Sequence, residues 1–192
     1  MIGNALNRLT LTAALTAASS LCLAQSAGLD PALLARANSG DGPAQVQVGD
    51  AYADGNGVAK DYKQAAEWFR KAADKGDISG LLHLASLYRD GKGVARDMTQ
   101  AATLYRQAAE LDDPTAQGTL GLLYSMGQGV PHNDVEAYYW LDLAASSKGP
   151  RQEAYAANRQ MIGTHITADE LAAVQERVAN WIAAHRKPDA PK

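Results

Sequence analysis

The sequence predicts an all-α fold, a solenoid of stacked helix pairs, from three observations: a repeat of 36 residues, capping residues at matching places in each repeat, and an apolar stripe at helical spacing. Tyr52, Tyr88 and Tyr124 are spaced by that period (88 − 52 = 124 − 88 = 36), and so are Gly55, Gly91, Gly127 and Gly57, Gly93, Gly129. Val58, Val94 and Val130 follow the second glycine. Alanine pairs close each unit as Ala72-Ala73, Ala108-Ala109 and Ala144-Ala145.

Each unit divides into two helices. Asp41, Asp77 and Asp113 stand where a carboxylate accepts the free amide hydrogens of a helix start, and Pro114 follows where a first-turn proline costs nothing. The first helix of each pair is expected over 44–54, 80–90 and 116–126. It ends at a Gly-x-Gly turn, because glycine adopts a positive φ without a β-carbon penalty. The second helix opens with Asp61-Tyr62-Lys63-Gln64, Asp97-Met98-Thr99-Gln100 and Asn133-Asp134-Val135-Glu136, read as three capping boxes in which cap and third residue satisfy each other's amides. Within it Ala65, Phe69, Ala72 and Ala73 recur as Ala101, Tyr105, Ala108, Ala109 and as Ala137, Leu141, Ala144, Ala145. Small residues on this stripe allow close helix approach, and large ones fill the gaps.

With 192 residues, 46% hydrophobic and 20% charged, the chain can bury one continuous core. A formal net charge of −3 gives no broad positive field, so nucleic acid is not an expected partner.

The first residues follow another pattern. Asn7 and Arg8 precede an uncharged apolar stretch, Leu9 through Leu23, and Cys22-Leu23-Ala24 places small residues at minus three and minus one of a cleavage point after Ala24. Residues 1–24 therefore read as a signal peptide, predicting a periplasmic or secreted protein without a transmembrane segment once it is removed. Lipoprotein processing at Cys22 is the alternative, although bulky Leu21 stands where such signals carry a small residue; an uncleaved anchor is the structural rival. Cys22 is the only cysteine, so cleavage would remove every thiol and with it any disulfide or thiolate chemistry.

The segments Val48-Gly49-x-x-Tyr52-x-x-Gly55-x-Gly57-Val58, Leu84-Ala85-x-x-Tyr88-x-x-Gly91-x-Gly93-Val94 and Leu120-Gly121-x-x-Tyr124-x-x-Gly127-x-Gly129-Val130 resemble Sel1-like repeats. The resemblance spans 41–148, as units 41–76, 77–112 and 113–148. It implies a right-handed superhelix of antiparallel helix pairs related to tetratricopeptide solenoids, with the first helix of each pair lining the inner surface. Ala85 stands where the pattern prefers glycine, and Leu104 where Trp68 and Trp140 occur, so different packing is expected in the middle unit.

A repeat cannot bury its apolar face alone, so less regular ends must seal the stack. Residues 25–40 read as an N-terminal capping helix beginning at Asp30-Pro31. Residues 149–185 read as a partial fourth unit, in which Gln160 replaces the tyrosine and Gly163 remains from the turn, followed by a closing helix. That helix starts with a capping box, Thr167 to Glu170, and carries Leu171, Val174, Val178, Trp181 and Ile182 on one side. Residues 186–192 are polar and proline-bearing, a flexible tail.

No catalytic residues, metal site or cofactor are expected. His83, His132, His165 and His185 form no i, i+4 pair, and the Gly-x-Gly pairs follow helices where dinucleotide and phosphate loops follow strands. Asp41, Asp61, Asp77, Asp97 and Asp113 are accounted for as caps. The resemblance includes relatives that bind or hydrolyse β-lactams, but those carry a disulfide in each repeat and this chain does not.

Partner-binding residues are sought among the variable positions of the first helices. Stepping by one period gives Gln47, His83, Thr119; Asp50, Ser86, Leu122; and Ala53, Arg89, Ser125, a mixed polar surface suited to an extended peptide or a protein edge. The function expected is an exported scaffold holding a protein or peptide partner on the concave face. The alternatives are an immunity or inhibitor protein against a toxin or envelope hydrolase and, from another class, a β-lactam- or peptidoglycan-directed hydrolase.

Overall fold

The computed structural model describes residues 28–186, which form nine helices and no strand among the described residues. They are α1 (Pro31–Ser39), α2 (Gly42–Asp54), α3 (Tyr62–Ala73), α4 (Ile78–Asp90), α5 (Met98–Glu110), α6 (Pro114–Met126), α7 (Asp134–Ala145), α8 (Gln152–Ile162) and α9 (Ala168–His185). The expected signal segment with Cys22, and the tail beyond Arg186, lie outside the described residues.

From α1 to α8 each helix packs on the next, and α9 packs back on α7, giving an all-α solenoid of three helix pairs, α2–α3, α4–α5 and α6–α7. The helices α2 and α4 also touch directly, and α3 and α5 each pack on α4, which puts α2 and α4 on the closer-packed, inner side of the first two pairs. The core runs as a spine of small residues between them. Ala65, Ala72, Ala101, Ala108, Ala116 and Ala137 are fully buried, with Phe69, Leu120, Leu141 and Leu143 filling the space between. Burying each large side chain contributes about 1.5–3 kcal/mol.

The first helices begin two residues earlier than the sequence suggested. Ala44, Gly80 and Ala116, expected as starts, are third helical positions, and their amides donate to the carboxylates of Asp41, Asp77 and Asp113. The second helices start where expected, but their caps work by halves. Asp61 and Asp97 each accept two amides, and Asn133 accepts that of Glu136. Their own N–H groups are not closed by the third residue's side chain. They donate instead to the carbonyls of Tyr52, Tyr88 and Tyr124 at 2.9, 2.9 and 3.1 Å, so each turn is tied back to the helix it leaves. A complete capping box occurs once among the described residues, between Thr167 and Glu170.

The repeated tyrosine has a second task. The Arg70 guanidinium donates to the Tyr88 hydroxyl at 3.0 Å and Arg106 to that of Tyr124 at 2.5 Å, joining the second helix of one unit to the first helix of the next. One period on, Asp142 and Arg159 form the same tie as an ion pair.

At the Gly-x-Gly turns, Gly91 caps α4 with φ 68° and Gly93 follows at φ 70°. A β-carbon on Gly93 would stand 2.2 Å from the backbone of Tyr62, and one on Gly129 2.0 Å from the Met98 carbonyl oxygen. The second glycine thus seats each turn against the preceding unit. Gly163, in register with Gly127, has an ordinary helical φ of −58° and ends α8 without that turn.

Candidate functional site

Two surfaces could receive a partner, one on each side of the first-helix layer. The inner one carries the positions expected from the sequence. His83 lies flat on the Phe69 ring, with centroids 4.8 Å apart, and its Nε2 stands 3.6 Å from an Asp50 carboxylate oxygen on the neighbouring helix. Its Nδ1 meets the Ser79 carbonyl at 2.7 Å. Burial pushes the Asp50 carboxyl above its usual range, with Asp54 adding to the effect and His83 opposing it. Exposed Gln47 and half-buried Asp50 line a shallow pocket of about 290 Å³ beside Leu29 and Leu33 of the N-terminal cap.

The other expected positions are drawn into the protein's own contacts. The Arg89 Nε donates to Asp90 at 2.9 Å, while its terminal nitrogens donate to the Ser86 hydroxyl and the Tyr105 hydroxyl. Thr119 and Ser125 donate their hydroxyls to the Thr115 and Leu122 carbonyls of their own helix. Leu122 packs on the cluster of Leu141, Ala144, Ala145 and Tyr155, which joins α6 and α7 to α8. Gln47, Asp50 and His83 form a polar face across two units, and Leu122 of the third unit packs toward α8.

The outer surface escaped sequence reasoning. Between α3 and α5, with α4 as its floor, lies a groove of about 600 Å³ lined by Leu81, Leu84, Tyr88 and Leu104 among others. One period along, the matching groove between α5 and α7 is occupied by α9. Val174 and Val178 of α9 join the apolar cluster that includes Leu120, Tyr124, Tyr139, Trp140 and Leu143. The Arg177 guanidinium stacks 3.7 Å from the Tyr139 ring centre and donates to both oxygens of Glu136. Arg186 donates from Nε and Nη2 to Asp112, at 2.9 and 2.7 Å, and also reaches the Ser146 hydroxyl and the Leu143 carbonyl.

Asp112 replaces the glycine found at the equivalent Gly40 and Gly76 and keeps their left-handed backbone, φ 65° against 93° and 77°. Aspartate is among the few residues that tolerate it. The sequence signals were Leu104 in a tryptophan position and Asp112 in a glycine position.

The fold also gathers His132 and His165 around Asp134, with nitrogens 3.2 and 3.7 Å from its two oxygens. Among the described residues no group of three His, Cys, Asp or Glu side chains is arranged to hold a metal. No helix among them is long and apolar enough to cross a membrane.

Comparison with known proteins supplies the family. The Sel1 repeat model matches residues 42–77, 78–113 and 114–148, more than half of the chain. Among solved structures, the chain is similar to a protective antigen of uropathogenic Escherichia coli displaying an SLR fold, at 31% identity and a TM-score of 0.69 over 83% of this chain and 36% of that one. It thus spans about a third of the antigen's length. It is also similar to a Sel1 repeat protein from Oxalobacter formigenes, at 33% identity and a TM-score of 0.59 over 64% of this chain and 92% of that one. No curated protein matches the chain in sequence. Three in-phase units, their tyrosine ties and their glycine turns place this chain in the Sel1 repeat family, whose members are generally scaffolds for protein–protein interaction.

Proposed function

We propose that this chain is an exported scaffold that holds a protein or peptide partner on its inner, concave face, in assembly or regulation at the cell envelope. The observation that carries the reading is the polar face running across two units, from Gln47 and Asp50 on α2 to His83 on α4. These side chains stand on helices fixed by the spine behind them, so a bound segment would meet donors and acceptors that need little reordering. The charge-free stretch ahead of Ala24 supports export, and one protein of similar fold is a protective antigen.

The test is recovery of partners from envelope extracts with the wild-type chain and a Gln47→Ala/His83→Ala variant of unchanged helicity, identified by mass spectrometry. Loss of a specific partner from the variant is the expected result. Retention of every partner at wild-type yield overturns the reading of this face. N-terminal sequencing of the protein recovered from its source is expected to begin at Gln25, and a chain still starting at Met1 overturns the export reading.

A further inference from the structure

The groove above α4 is the vacant counterpart of one that the chain itself fills with a helix. Shifting by one period converts Glu136, Tyr139, Trp140 and Leu143, which meet α9, into Gln100, Thr103, Leu104 and Gln107. The covered set is buried apart from half-buried Glu136, whereas Gln100, Thr103 and Gln107 are exposed and Leu104 is half-buried. Tyr124 under α9 is buried while Tyr88 is half-buried. At the end of the open groove Leu111 is 49% exposed, a large apolar side chain without cover.

We infer that this groove receives an amphipathic helix from a partner protein, lying parallel to α5 as α9 lies parallel to α7. The direction follows from α9, whose mid-helix Arg177 meets the first turn of α7 and whose following Arg186 meets its last carbonyls. The incoming apolar face would rest on Leu81, Leu84, Tyr88 and Leu104, taking the place that Val174 and Val178 take one unit later. Charge fixes its other end. Asp74 caps α3 and Glu110 ends α5, so two carboxylates and the negative dipole ends of two helices converge at the end of the groove equivalent to the one where Arg186 docks. The partner helix therefore carries arginine or lysine near its C-terminus. This surface is independent of the concave face. Leu81, Leu84 and Tyr88 point from one side of α4, and His83 and Ser86 from the opposite side, as 100° per residue requires.

The probe is a fluorescein-labelled peptide of residues 166–186, a helix already shaped for such a groove, titrated into the full chain and followed by anisotropy. Binding at one site is expected, weakened about tenfold or more by Thr103→Lys/Gln107→Lys, exposed positions whose replacement leaves the spine intact. Gly76→Asp supplies the carboxylate that Asp112 offers to Arg186, at a position with φ +77° and no atom within 4 Å of an added β-carbon. It is expected to tighten binding about fivefold, and the gain to vanish for a peptide with Arg186→Ala. Binding that ignores all three changes, or that increases only when Glu136→Ala loosens the resident α9, overturns the inference, because the peptide then exchanges with α9. A peptide-independent dimer by light scattering that the Thr103→Lys/Gln107→Lys change dissolves also overturns it, assigning the groove to a second copy.

Discussion

The second and third units share a backbone plan and differ in what their outer grooves contain. In the third, aromatic and aliphatic walls close over α9; in the second, the same positions are glutamine, threonine and a leucine in place of tryptophan. A helix pair in this fold can thus be finished or left open by the four side chains compared above on the second helix, Gln100, Thr103, Leu104 and Gln107 against Glu136, Tyr139, Trp140 and Leu143. The repeat supplies the scaffold, and the wall residues decide whether a surface is core or binding site.

The sharpest way to break this contrast is to charge the filled groove. Val174→Asp places a carboxylate without a partner at a position 2% exposed and should cost on the order of 4 kcal/mol, read as a large fall in the urea midpoint. Release of α9 with the rest of the array still folded would bring the third groove to the state of the second. Uptake of a hydrophobic dye with helicity retained would show it.

A matched pair of truncations sharpens the comparison. Leu143→Ala removes a fully buried side chain beneath α9 and should destabilise by about 3 kcal/mol, whereas Gln107→Ala at the equivalent exposed site should stay within about 0.5 kcal/mol. Equal losses would mean that the two grooves are equally covered in solution.

The smallest effect is on the inner face, where Asp50 is held above its normal carboxyl range chiefly by burial. A raised folded value means that the native state binds this proton more tightly than the unfolded chain does. Ionisation therefore costs stability, absent below the unfolded value of about 3.8 and present once pH exceeds the folded one. With its side chain 43% exposed, solvent screens most of that cost. Asp50→Asn should raise the midpoint of thermal unfolding slightly at neutral pH and leave it unchanged near pH 3, as scanning calorimetry would show.

Much of the fold was legible in the sequence because its determinants are local. Asp41, Asp97 and Gly91 act within a few residues of themselves, and the period repeats each signal three times. The capping boxes were half legible: Asp61 and Asp97 mark the helix starts, but the partner of their own N–H groups is a tyrosine carbonyl nine residues upstream, which no cap pattern displays. Gln47, Asp50 and His83 were found as a shared face because helical spacing predicts directions. That Arg89 is held by Asp90, Ser86 and Tyr105 was not, since spacing says nothing of which neighbour a long side chain takes. The stripe on α9 was plain, yet where it docks depends on contacts 41 and 74 residues away in sequence, between Arg177 and Glu136 and between Arg186 and Asp112.

The Arg186–Asp112 contact also shapes how the molecule comes apart. Linear arrays ordinarily fray unit by unit from either extremity, each module held only by its neighbour. Here the last described helix lies across α7 and is pinned to the linker ahead of the third unit, so that unit opens only once α9 has let go of both. Unzipping should then start at the other extremity, with amides of α1 and α2 exchanging with deuterium before those of α7.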